Sequence, residues 1–260
     1  MGEGRRNFIK KTALASGGMA LGINAMSAKS YSKIIGANDR VRVGIAGFSN
    51  RAKGALIPAF LGHHKKQNFE IVGVSDIWNR RRDEGAAYLK EKTGDKMKVW
   101  RNHDEMYEEN KIDAVIISTP DFQHALHTVQ AANAKKDIYV EKPFAETMDD
   151  ARVGKKAVED SGIVFQIGSQ RRSGKNYHAA NDYIKSGKFG DIVMVEMSWN
   201  VNQPDRWRLP ELTSQIKESD TDWKRYLLNR PYEAWDPRKY LEYRLFWPFS
   251  SGIPGQWMSH

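Results

Sequence analysis

From Val41 onward, short apolar runs alternate with amphipathic stretches. The runs at 41–46, 70–75, 97–100, 113–118, 138–141 and 163–168 are rich in Val and Ile and lack strict alternation. Strands buried on both faces read this way. Helical patterns lie between them, near 52–66, 79–93, 104–110, 122–136 and 147–161. The rhythm predicts an α/β fold built on a doubly wound parallel sheet over residues 39–168. Past 168 the rhythm breaks. One further strand is expected around 192–199, and residues 200–246 show little regular period. Six of the eight Trp fall from Trp199 onward, interleaved with Arg and Pro. We read this stretch as a long irregular insertion over a cleft mouth, since long loops are often functional lids. Trp faces suit the C–H faces of sugars. For most of these rings, anchoring of the loop to the body is the preferred reading.

Composition narrows the class. The chain has 260 residues, 40% hydrophobic and 28% charged, and no Cys. This excludes a multi-span membrane protein, a disordered chain, a disulfide framework and a thiolate nucleophile. The formal net charge is +9, and residues 1–35 carry +5 of it, from Arg5, Arg6, Lys10, Lys11, Lys29 and Lys33 against Glu3. The remaining body is only mildly basic, so a nucleic-acid partner is not expected. The leader has a charged start, a short Ala- and Gly-rich apolar stretch and small residues at Ala25-Met26-Ser27. Arg5-Arg6 followed by Phe8-Ile9-Lys10 resembles a twin-arginine export signal over residues 1–30. The implied location is periplasmic, with no membrane anchor after cleavage.

Candidate chemistry sits at predicted strand ends. The first βα turn carries Gly47, Ser49, Asn50, Arg51 and Ala52. A dinucleotide fingerprint wants glycines there, for the turn and for close approach to pyrophosphate. Ser49 departs from it: its side chain crowds the pyrophosphate, although its hydroxyl can bond to it. Asp76 ends the second strand, 29 residues past Gly47. An acid there accepts the adenosine ribose hydroxyls and favours NAD over NADP. Arg80, Arg81 and Arg82 are read as a solvated helix face. The seven His show no metal-ligand pattern. His124 and His127 are spaced i, i+3, with the second expected on the helix surface.

Three motifs then follow in order: Thr119-Pro120-Asp121-Phe122-Gln123-His124, Glu141-Lys142-Pro143 and Gly168-Ser169-Gln170-Arg171-Arg172. With the Gly turn and Asp76 before them, they resemble the Gfo/Idh/MocA oxidoreductase family. The segment Ile184 to Ile192 looks like that family's entry to its second domain. The resemblance implies a Rossmann domain, an open-sheet α/β substrate domain and NAD(P) between them. It implies that Lys142 lies near the nicotinamide and the substrate hydroxyl. It also implies that Thr119, Pro120, Asp121 and His124 line the cofactor, and that Gln170 and Arg172 face the site from the domain junction. The family's second signature, an Asp four residues before a His, reads here as Gln256 and His260. His260 would be the general base, with Gln256 unable to stabilise an imidazolium as a carboxylate does.

The expected function is an NAD(P)-dependent oxidoreductase acting on a carbohydrate or cyclitol. Alternatives are an NAD-dependent glycosidase or lyase of the same family and an inactive dinucleotide-binding remnant. Oligomeric state stays open, including a homo-oligomer of a longer parent. About 90 residues remain for a substrate domain, at 169–260, that is larger in this family. A single strand cannot bury a sheet face. An incomplete, poorly packed second domain is therefore expected.

Overall fold

The computed structural model describes residues 40–198, 200, 202–247 and 249–259. The leader, Trp199 and the proposed base His260 lie outside the described residues.

Six parallel strands form one sheet: β1 (Val41–Ala46), β2 (Phe69–Ser75), β3 (Lys98–Trp100), β4 (Ala114–Ile117), β5 (Asp137–Glu141) and β6 (Phe165–Gly168). Their order is β3-β2-β1-β4-β5-β6. Successive connections run outward from β1 in opposite directions, so the order reverses between β1 and β4. Ligands of such sheets bind at that crevice, beyond the carboxyl ends of the strands. The crossovers are α1 (Ile57–Leu61), continuing a wide turn over Ala52–Leu56, then α2 (Asn79–Thr93), α3 (His103–Tyr107), α4 (His124–Asn133) and α5 (Met148–Ser161). The expected boundaries hold to a few residues.

The sheet is buried on both faces. Val43, Ile45, Ile71 and Val74 pack with Ile57 and Leu89 on one side. Val115, Ile117, Ile138 and Val140 pack with Met106 and Ala131 on the other. Gly44 permits the second contact, because a Cβ there would lie 2.6 Å from the Met106 sulfur. Local signals set helix ends. Thr147 caps the α5 amide of Asp150 at 3.1 Å, and Gly162 ends that helix at φ 67°.

Beyond β6 the described residues contain no strand. Helix α6 (Lys175–Lys185) leads into 191–198, which has no sheet partner, and Val193 is 94% exposed. The strand expected at 192–199 is thus not formed over 192–198. Its backbone has no neighbouring edge to pair with. Residues 203–259 differ from this stretch. Short helices α7 (Pro210–Thr213), α8 (Trp223–Leu227), α9 (Pro237–Leu241) and α10 (Gly252–Met258) carry rings into a third core. Trp223, Tyr226, Tyr243 and Phe249 surround Phe122 there. The expectation of poor packing fails for this segment, because the β4 loop supplies its missing apolar partner.

Candidate active site

The carboxyl ends of β1, β2, β4 and β5 open into a cleft of ≈ 950 Å³. Gly47 follows β1 at φ 86°, and a Cβ on it would meet Thr119 at 3.1 Å. Glycine is required here both for the left-handed backbone and for the close approach of two strand-end turns. The Gly47 amide donates to the Ser75 carbonyl at 2.8 Å, and the Ser118 hydroxyl donates to the Gly47 carbonyl at 2.6 Å.

Ser49 lines the cleft and is half-buried. Its hydroxyl accepts from the Ala52 amide at 3.1 Å and caps the helical run. The departure from glycine thus supplies a helix cap and leaves the neighbouring backbone on the cleft. Asp76 accepts from the Phe48 amide at 2.8 Å and from the Trp78 amide at 2.9 Å. A carboxylate offers about four acceptor positions, so two remain for hydroxyl groups. Burial pushes its carboxyl above the usual range, while those two amides and Arg81 hold it down.

Glu141 and Lys142 end β5 with different environments. Glu141 is buried and takes three hydrogen bonds. It accepts from Arg51 at 2.8 Å and Gln170 at 2.6 Å, while its second oxygen takes the Lys142 amide at 3.1 Å. It locks three strand-end loops together. The Lys142 ammonium donates to the Gln256 carbonyl and keeps two donors for a ligand. Burial pushes its pKa below the ordinary lysine value. Glu141 opposes the shift, and Arg51 and Arg244 add to it. The Gln256 amide donates to the Ser250 hydroxyl at 2.5 Å.

The remaining expected residues divide by position. Thr119, Pro120, Asp121, His124, Asn50 and Arg51 line the cleft. The Thr119 hydroxyl is buried with no hydrogen-bond partner among the described residues. Neither oxygen of buried Asp121 completes a hydrogen bond, although Tyr243 lies near. His124 is a brace, with its ring nitrogens 2.7 Å and 2.8 Å from the Pro143 and Thr119 carbonyls. Gln170 acts on Glu141 and Tyr139. Arg172 is exposed and off the cleft, and Arg171 lines it instead.

Two further cleft features depart from the sequence reading, and a third agrees with it. Arg81 is not solvated: it donates to Asn50 at 3.2 Å and lies over Trp78. His127 is 1% exposed rather than on the surface, with its ring 3.8 Å from that of His103. Burial and Arg225 push His103 down to about 3, and burial lowers His127 likewise. The cleft is also walled by Arg206, Trp207, Tyr240, Tyr243 and Arg244 from the aromatic segment. Among the described residues no cluster of His, Asp or Glu could hold a metal, and no helix is long and apolar enough to cross a membrane.

Residues 41–169 match the family model described as an oxidoreductase family with an NAD-binding Rossmann fold, GFO_IDH_MocA. Over this segment the chain belongs to the Gfo/Idh/MocA family. The Gfo/Idh/MocA relatives include inositol 2-dehydrogenase of Salmonella typhimurium, 28% identical over 64% of this chain and 48% of that protein. They also include 1,5-anhydro-D-fructose reductase of Ensifer adhaerens, 30% identical over 74% of this chain and 58% of that protein. The chain spans about half the length of such curated relatives. An oxidoreductase of Thermotoga maritima shares the fold at TM-score 0.52 and 21% identity, over 58% of this chain and 45% of that one. The Gfo/Idh/MocA fold accounts for the cleft at the β1–β4 reversal, and the orphaned Thr119 hydroxyl and the open turn at Gly47 suit a dinucleotide there.

Proposed function

We propose that this chain belongs to an NAD-dependent oxidoreductase that moves a hydride between a carbinol carbon of a sugar or cyclitol and the nicotinamide. The supporting observation is one cleft that joins a dinucleotide turn, an acid with two spare acceptor positions and a desolvated lysine. Gly47, Asn50, Arg51 and Thr119 would hold the pyrophosphate side, at a helix start that favours phosphate. Asp76 would take the adenosine ribose hydroxyls, which supports NAD over NADP. Bound NAD supplies the hydride acceptor or donor. Lys142 orients the reacting oxygen and stabilises its developing negative charge through its two spare N–H groups. Glu141 fixes the Lys142 backbone through the 3.1 Å amide bond. In this reading His260 accepts the hydroxyl proton. Relatives named for inositol and for 1,5-anhydro-D-fructose support the polyol class. The Arg5-Arg6 leader supports export by the twin-arginine route.

The test is titration calorimetry with NAD+ and NADP+, followed by turnover on myo-inositol and aryl glycosides. NAD+ should bind, and Asp76→Ala should weaken it by about tenfold or more. Lys142→Met should lower turnover by about 10²–10⁴ with NAD+ affinity unchanged. Phenol release without net NADH would favour the glycosidase reading. A chain that binds neither nucleotide overturns both.

A further inference from the structure

The aromatic segment brings a ladder of alternating rings and guanidinium groups to the Lys142 end of the cleft. Arg206 lies 4.4 Å from the Trp257 ring and 4.4 Å from the Trp207 ring. Arg244 covers the Trp207 ring at 4.5 Å and the Tyr243 ring at 4.5 Å. Trp207 is therefore held between two cations, at φ 72°. A bulky residue in that backbone region is strained, and such strain persists only where its surroundings over-determine it.

The pairing of these two cations sets them apart. Arg51, Arg81 and Arg208 each have a carboxylate at 2.8 Å, 3.2 Å and 3.5 Å, and Arg225 is paired with Asp104. Among the described residues, no carboxylate lies within ion-pair distance of Arg206 or Arg244. Among the described residues the Arg206 guanidinium donates to the neutral Gln203 side-chain amide oxygen, at 2.5 Å. The carboxylate that Arg244 feels most directly is Asp121, which burial raises and Arg244 holds down, and the two do not come within ion-pair distance. Position separates the ladder from the pyrophosphate end at Ser49–Arg51. Trp257 adjoins Gln256, whose carbonyl accepts from Lys142. Stacking fixes the planes of the guanidinium groups while leaving their edges able to donate.

We infer that Arg206 and Arg244 form a subsite for an oxyanion carried by the substrate, a carboxylate or a phosphate ester on the sugar, beside the carbon oxidised at Lys142. Fixed planar donors match such oxyanions in paired hydrogen bonds, which a neutral polyol cannot provide. The inference rests on the oxidoreductase reading for its reacting end.

Equilibrium binding of D-glucuronate, D-glucose 6-phosphate and D-glucose to the full 260-residue chain, with and without saturating NAD+, tests it. At least one anionic sugar should bind about tenfold tighter than glucose, and the two anions distinguish carboxylate from phosphate. Added sulfate should weaken the anions and not glucose. Arg206→Gln and Arg244→Gln should each bring the preference within about twofold while NAD+ affinity stays within about twofold, and Arg206→Lys should lose part of it. Equal binding of glucose and both anions by the unmodified chain overturns the inference whether or not any variant folds. A preference that survives the double Gln variant also overturns it. Failure of NAD+ binding alone, with the anion preference intact, would remove the oxidoreductase reading and leave the subsite.

Discussion

Two regions of this molecule reach order by different means. In 41–168 a six-stranded backbone ladder is buried on both faces, and each strand's position is enforced by its neighbours. In 203–259 the described helices are of four to seven residues and no strand forms. Helices that short are marginal alone. Their order comes from side chains: the ring cluster on Phe122, and ion pairs to helix α3 through Arg225–Asp104 and to the loop after β5 through Arg230–Glu146. The sheet region packs its two faces with residues of its own. The segment has no apolar floor without the ladder region. The cleft therefore has one wall ordered by backbone pairing and one ordered by side-chain packing.

The sharpest break of this comparison is Phe122→Ala. The Phe122 ring lies 5.4 Å from that of Tyr226 and 5.3 Å from that of Phe249. Its loss should cost about 3–5 kcal/mol. Hydrogen exchange should show the loss in 203–259, with β1, β4 and β5 still protected. Uniform loss in both regions would mean that they unfold as one unit.

Acid should act next most strongly, through the His103–His127 pair between α3, α4 and Arg225. Burial holds both below their ordinary value, His103 at about 3. The unfolded chain therefore binds protons below about pH 6.5 that the folded chain refuses. Stability is complete above that pH and declines as pH falls toward 3, by on the order of several kcal/mol. Urea melts between pH 7 and 4 should show the decline, and His103→Gln should flatten it. A flat wild-type profile would show the pair to be solvated.

The smallest effect is expected from Arg101→Ala. Arg101 is 65% exposed and 3.6 Å from Asp222. Such a pair contributes about 0–1 kcal/mol. A thermal melt showing a loss as large as that of Phe122→Ala would reassign the anchoring from rings to charges.

The ladder region was legible because periodicity and strand-end motifs are local. Apolar runs placed all six strands, and Gly47, Asp76, Thr119, Glu141 and Lys142 followed from being at their ends. What failed depended on distant packing. His127 is buried against His103 and Tyr107 of α3, which meet it only once the fold brings α3 onto α4. Arg81 was read as solvated because its partners Asn50 and Trp78 meet it only in the fold. Arg172 and Arg171 are adjacent, and no spacing rule chooses between them in an irregular turn. The signal available for the ladder was the dense alternation of Trp and Arg. It marked the segment but not which rings face the cleft. Trp223 is an anchor, whereas Trp207 and Trp257 carry the guanidinium stack.

The placement of those rings has an optical consequence. Trp78, Trp207 and Trp257 line the cleft, out of eight tryptophans in the chain. Reduced nicotinamide absorbs where indole emits, so a bound NADH would draw excitation from three nearby donors. Guanidinium groups packed on all three of these rings are charges at fixed positions, and an arriving anion would change the field that the indoles experience. Intrinsic emission should therefore report nucleotide and anion binding by separate signatures, quenching by energy transfer for one and a spectral shift for the other, with no label attached.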